Sequence, residues 1–324
     1  MSNMNKQELY NLIYNLTFKT EKYAVGFHLC GNLDVNGGIE KFRAATGREP
    51  ALIDFDMHSL PFFTASDICK AINELYEFTK KGGFIALTAH WLTPTVNIKD
   101  AECLGANNCR DHLSKEEFTQ VYTDGTYLNA NFNDELDLEA LFIKKLESLG
   151  IPVIFRPMHE INGGWFWWQK NYDYGITGEY VAELFRYVHN YFENKWNLKN
   201  ILWEYNASLM FAKEEAVKAY PGNEYIDILS LDWYLKEGSY TDFYFELQKS
   251  AGKEMPFALA EFGGDGNYHM DEFSLRETQD HLERHFKNGA KCAYLGFYFE
   301  FPENIDKTLS DYSVTLEELG DYKV

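Results

Sequence analysis

Eight short apolar runs recur along this chain of 324 residues, and an amphipathic stretch or a long connection follows each of them. The runs occupy residues 23–29, 51–55, 84–90, 152–159, 200–205, 226–233, 256–262 and 293–299, each of strand length. Helical periodicity marks 67–80, 138–149, 178–194 and 275–287. Gly82, Gly83, Gly150 and Gly289 stand where a helix has to stop before the next strand begins. Eight strands, each followed by a helix or a helical loop, predict an α/β fold, a single (β/α)8 TIM barrel. A further amphipathic segment at 6–16 reads as a helix closing the bottom of that barrel. No internal repeat, low-complexity tract or Pro/Ser-rich linker interrupts the pattern, so residues 1–324 are expected to form one domain.

A barrel of this kind carries its chemistry at the carboxyl ends of its strands. Here each strand end offers polar or aromatic groups: His28, Asp56 with His58, His90-Trp91, His159-Glu160, Asp232-Trp233-Tyr234, Glu261 and Tyr298-Phe299-Glu300. The connection from 92 to 134 is long enough to shape a cleft on that face. Strands four and seven face each other across the mouth, and they end in Glu160 and Glu261. Two opposed carboxylates meet the needs of glycoside hydrolysis, in which one donates a proton to the leaving oxygen and the other attacks or activates water. With 30 basic and 50 acidic residues the net charge is −20. That surface repels nucleic acid and anionic lipid, and it tolerates a neutral polysaccharide. Aromatic residues make up 17% of the chain, enough to fill a core and still supply stacking surfaces for sugar rings.

The segment Phe155-Arg156-Pro157-Met158-His159-Glu160-Ile161-Asn162-Gly163-Gly164-Trp165-Phe166-Trp167-Trp168 resembles the acid/base motif of family 26 glycoside hydrolases, which are chiefly β-mannanases. Ala89-His90-Trp91, Asp232-Trp233-Tyr234 and Ala260-Glu261-Phe262-Gly263 follow in order. Gly26-Phe27-His28 and residues 46–52 also look like the family's first two strands, so the resemblance spans nearly the whole chain. It implies a retaining endo-β-1,4-mannanase with Glu160 as general acid/base and Glu261 as nucleophile. It further implies His159 and Asp232 as polar supports, Tyr234 on the nucleophile, and Trp165 beyond the cleaved bond. His90 and Trp91 would then line the subsite before that bond. The family usually floors the reacting subsite with a Trp after strand eight; here Tyr298, Phe299 and Phe301 stand there, with Tyr298 the expected floor. Relatives within the family act on mixed-linkage β-glucan or β-1,3-xylan, and a non-catalytic carbohydrate-binding relative is the remaining alternative.

Physical chemistry adds four expectations. Burial beside aromatic walls should raise the Glu160 pKa towards ~6. Gly163 and Gly164 should let the backbone turn so that Trp165 meets the cleft. Arg156 should pair with acidic groups inside the mouth, and at least one aromatic of 165–168 should be core.

Other chemistries find no support. His159-Glu160 lacks the second His of a zinc-protease helix, since Gly163 occupies that place. Asp54, Asp56 and His58 lie on one strand face without a further ligand from that strand, so neither metal nor cofactor is expected. The run Gly263-Gly264-Asp265-Gly266 lacks dinucleotide-loop spacing, and no Gly-x-Ser-x-Gly elbow occurs. Cys30, Cys69, Cys103, Cys109 and Cys292 form an odd, scattered set, expected as reduced thiols, with a bridge between Cys103 and Cys109, six apart in a loop, as the alternative. The sequons at Asn15 and Asn206 are about as frequent as chance provides. The first ten residues do not look like a secretory leader and no apolar run is long enough for a membrane span, which fits a cytoplasmic monomer or a secreted enzyme produced without its leader.

Overall fold

The computed structural model describes residues 4–99, 109–234, 239–263, 275–298 and 308–323. Eight parallel strands close into a barrel: β1 (Tyr23–Leu29), β2 (Leu52–Asp56), β3 (Phe84–Thr88), β4 (Val153–Arg156), β5 (Ile201–Ser208), β6 (Ile228–Tyr234), β7 (Phe257–Gly263) and β8 (Tyr294–Phe297). Each pairs with its sequence neighbours, and β8 returns to β1 through Ala24↔Tyr294 and Phe27↔Phe297. A two-residue β9 (Ser313–Val314), not foreseen from sequence, runs parallel to the start of β1. Gly26 and Gly296 are register partners at the β1–β8 seam. A Cβ on Gly26 would stand 2.0 Å from the Leu52 carbonyl oxygen, and one on Gly296 would stand 2.3 Å from that of Ala260. Only glycine permits that approach.

Around the barrel lie α2 (Val35–Thr46), α3 (Ala65–Lys80), α4 (Lys115–Val121), α5 (Tyr127–Ser148), α6 (Gly178–Asn190), α7 (Lys213–Lys218), α8 (Tyr240–Ala251) and α9 (Leu275–Phe286), after the leading helix α1 (Lys6–Phe18). One large apolar cluster fills the space between strands and helices. A second sits inside the barrel's lower end, where Leu52, Phe84, Ile154, Leu202 and Ile228 meet Leu9, Leu12, Ile13 and Leu16 of α1. Burying each of those four α1 side chains is worth about 1.5–3 kcal/mol, which holds the helix as a plug. Its first turn is closed by a capping box between Asn5 and Glu8.

The largest departure from the sequence expectation concerns residues 92–134. The segment is not one long loop, because it contains α4 and the first two turns of α5. The Asn-rich start of α5 has weak intrinsic propensity. It is helical because Thr126 caps the Asn129 N–H and because Leu128, Phe132 and Leu136 are buried. Asn129 is itself buried, donating to the Val121 carbonyl at 2.9 Å and to the Tyr187 hydroxyl at 2.8 Å. Strands β3, β4 and β8 also end earlier than expected, so that His90, His159 and Tyr298 leave the ladder. Among the described residues no helix is long and apolar enough to cross a membrane. Phe299, Phe301, Cys103 with its suggested pairing, and residues 264–266 lie outside the described residues.

Candidate active site

The site begins where β4 stops. Met158 (φ 54°) and Glu160 (φ 52°) both adopt the left-handed backbone region, at a cost of about 1–3 kcal/mol each for residues with a side chain. Several hydrogen bonds fix this conformation. The Glu160 N–H donates to Asn206 Oδ1 at 2.6 Å, and the Ile161 N–H donates to the Asn206 carbonyl at 3.1 Å. Gln169 Nε2 donates to the Glu160 carbonyl at 2.7 Å, while its Oε1 accepts from the N–H groups of Trp165 (2.8 Å) and Phe166 (3.0 Å). The turn therefore does not depend on glycine φ freedom, as the Gly163-Gly164 pair suggests. Gly163 matters for space, because a Cβ there would meet the Gln169 amide at 2.7 Å.

Glu160 is 5% exposed. Burial and the charge of Glu261 raise its pKa to about 8, against hydrogen bonds from Ser208 and Trp165 and the attraction of Arg156. The rise exceeds the one expected from aromatic walls alone because a second carboxylate adds to it. Glu160 thus keeps its proton at neutral pH.

Glu261, on β7, lies in the opposite environment. Arg156 Nη1 and Nη2 each donate to its Oε1 at 3.0 Å, and the Tyr234 hydroxyl donates to its Oε2 at 2.9 Å. Its own N–H donates to Asp232 Oδ1 at 3.1 Å, across a register shift that makes Asp232 and Glu261 partners. Arg156 is completely buried and also reaches Asp232 (3.2 Å), Asp54 (2.9 Å) and Thr88 Oγ1 (2.8 Å). One guanidinium thus binds three carboxylates, using the planar fork that suits it to such pairing. Burial and Glu261 push the Asp232 pKa up, and Arg156 and the Asn206 amide (2.8 Å) oppose them. Burial would raise Asp54 too, but Arg156 and His28 hold it down at about 2.

His90 and His159 stand together at the mouth, with ring centroids 4.2 Å apart. His90 Nδ1 contacts Asp56 Oδ2 at 2.8 Å. His159 is 2% exposed; burial, then His90 and Arg156, push its pKa well below the ordinary range, so it is a neutral imidazole. Trp165 is partly buried, its ring edge-on to Phe211 at 4.6 Å, while Phe166, Trp167 and Trp168 are core. Tyr298 lies over His28, with centroids 5.0 Å apart.

Trp91 requires correction. Its side chain does not line a cleft: it is fully buried, with Nε1 donating to Glu139 Oε1 at 3.0 Å and its ring edge-on to Phe132 at 5.1 Å. The strand has ended, and α5 covers the ring. Three positioning residues escape a motif search: Gln169, Ser208 and Asn206. The last looks like a chance sequon, yet its side chain is buried between Glu160 and Asp232. The available signal is that it immediately follows a strand-like run.

The family model for glycosyl hydrolase family 26 matches residues 6–290. The chain belongs to that family. It is 28% identical over 272 residues to mannan endo-1,4-beta-mannosidase A and B of Caldalkalibacillus mannanilyticus, covering 81% of the chain and 50% of the relative. It is 25% identical over 278 residues to a mannan endo-1,4-beta-mannosidase of Bacillus subtilis, covering 81% and 72%. The chain therefore spans only half the length of the first of these. Its fold matches that of a Bacillus subtilis mannanase with a TM-score of 0.76 at 20% identity, covering 97% and 95% of the two chains.

Proposed function

We propose that this family 26 chain is a retaining endo-β-1,4-mannanase, working as one catalytic domain and a monomer on a neutral polysaccharide. The observation that carries the proposal is the opposed setting of two nearby carboxyls: Glu160 buried and raised to about 8, Glu261 gripped by Arg156 and Tyr234. The naming of its relatives as mannan endo-1,4-beta-mannosidases supports mannan as substrate.

In the first step Glu160 protonates the glycosidic oxygen while Glu261 attacks the anomeric carbon; the leaving-group bond breaks and a glycosyl ester forms. Esterification removes the Glu261 charge, one of the two causes of the high Glu160 pKa. The pKa of Glu160 therefore falls when its role becomes that of a base. Water then gives its proton to Glu160 and displaces Glu261, restoring both groups. Arg156 and Asp232 hold Glu261 in place, and Trp165, whose side chain hydrogen-bonds Glu160, bounds the leaving-group side. His90, His159 and Tyr298 border the other.

Reducing-sugar release from mannan, galactomannan, lichenan and xylan tests the substrate assignment. Mannan and galactomannan should be the best substrates; a preference for lichenan or xylan overturns it, and no release from any of the four overturns the catalytic reading.

A further inference from the structure

The ends of β1 and β2 bring together three groups that the hydrolytic chemistry leaves largely unused. His28, Cys30 and Asp56 each offer a donor atom, and these atoms all lie within 4.8 Å of one another. Cys30 Sγ is 3.3 Å from Asp56 Oδ2, and His28 Nε2 is 4.0 Å from the same oxygen. We propose that these residues form a binding site for a thiophilic divalent cation, zinc above all, at the rim of the barrel.

Three observations carry the assignment. The spacing fits: tetrahedral zinc with bonds of ~2.0–2.1 Å to nitrogen or oxygen and ~2.3 Å to sulfur places its donors ~3.3–3.6 Å apart. Cys30 Sγ and Asp56 Oδ2 already stand at that spacing, and His28 Nε2 has to close on Asp56 Oδ2 by about half an ångström. Second, the His28 side chain is fully buried, and neither of its ring nitrogens makes a hydrogen bond of ordinary geometry among the described residues. A buried ring nitrogen facing a thiol and a carboxylate is costly unless something satisfies it. Third, His28 Nδ1 faces Asp54 Oδ2 at 3.2 Å, and Asp54 is anchored by Arg156 and Thr88. A carboxylate behind a histidine, orienting its other nitrogen toward the metal, is the usual support of a ligating imidazole.

The donor set of one nitrogen, one sulfur and one oxygen favours zinc over calcium or magnesium, which take oxygen ligands. A cavity of about 430 Å³, bordered by Cys30, Asn32, Asp34, Lys41 and Tyr298, gives access, and Cys30 is exposed. On binding, the Cys30 thiol and the His28 Nε2–H release their protons to solvent, and the thiolate and the neutral imidazole join the metal. Asp56 Oδ2 also holds His90, so occupancy links this rim to the mouth. Sequence spacing hides the site, because the third ligand comes from the neighbouring strand.

The test uses the metal-stripped full chain titrated with zinc chloride against a chromophoric chelator, and with cobalt chloride for the thiolate charge-transfer band. One equivalent of zinc should bind, and Cys30→Ser should weaken it at least ~30-fold and abolish the cobalt band. Cys69→Ser, which alters the other exposed thiol among the described residues, should change neither. Far-ultraviolet dichroism of each variant confirms that the barrel is intact. Equal zinc affinity in wild type and Cys30→Ser, or a cobalt band that follows Cys69, overturns the proposal.

Discussion

If Glu261 helps to keep Glu160 protonated, removing its charge without its volume should move the Glu160 titration. The Glu160 pKa stands at about 8, raised by burial first and by Glu261 second. The proposed retaining mechanism places the two carboxyls ~5–5.5 Å apart. At an effective dielectric constant of ~20, two unit charges at that distance interact by roughly 3 kcal/mol. At 1.36 kcal/mol for each pH unit, this equals roughly 2 pH units. The sign follows directly: with no negative neighbour the Glu160 carboxylate forms more easily, so its pKa falls. In Glu261→Gln it should titrate near ~6, while burial keeps it above an ordinary glutamate. Carbon-13 NMR of labelled glutamate carboxyls reads this, with Glu160→Gln identifying the resonance. A midpoint that stays near 8 or rises in Glu261→Gln refutes the coupling and the role exchange built on it.

Hydrolysis by the wild-type chain should decline as pH passes about 8, because the proton that Glu160 donates is lost there; a rate that climbs through that range counts against Glu160 as the acid. Tyr234→Phe removes a charge-assisted hydrogen bond to Glu261 and should lower kcat about 10- to 100-fold with little change in KM; steady-state kinetics decides. Trp165→Ala should weaken oligosaccharide binding or turnover at least about tenfold at unchanged melting temperature, since the ring is only partly buried. Trp91→Ala should instead destabilise the fold by about 3–5 kcal/mol in urea unfolding, as expected for a large ring in the core.

The barrel is legible in the sequence because strand-length apolar runs separated by helical periodicity leave few topologies, and the strand starts depend on local pattern. Strand ends are harder. His90, His159 and Tyr298 look like continuations of apolar runs, but each leaves the ladder where a polar or aromatic side chain turns into the mouth. The N-terminal part of α5 is hidden by its asparagines, whose helical state depends on tertiary burial. Within the site, Glu160, Glu261, Asp232 and Tyr234 stand out because strand-end polar groups have no packing reason to be there. Trp91 misleads for the converse reason: an aromatic beside a strand-end His suggests a platform, and only α5 reveals it as core. Gln169 and Asn206 cannot be inferred from type or spacing, since their value lies in holding the left-handed Glu160 backbone.

The division of labour between the two carboxylates is tested most directly by chemical rescue of Glu160→Ala and Glu261→Ala with a dinitrophenyl β-manno-oligoside. The dinitrophenolate leaves without protonation, so Glu160→Ala should still form the glycosyl ester, stall at its hydrolysis, and be accelerated by azide, which attacks without a base. The product should be the β-glycosyl azide, because two inversions restore the starting configuration. Glu261→Ala should lose both steps, and any azide adduct it forms should be α. A β-azide from Glu261→Ala, with none from Glu160→Ala, contradicts the assigned roles, and undiminished hydrolysis by both variants contradicts the site.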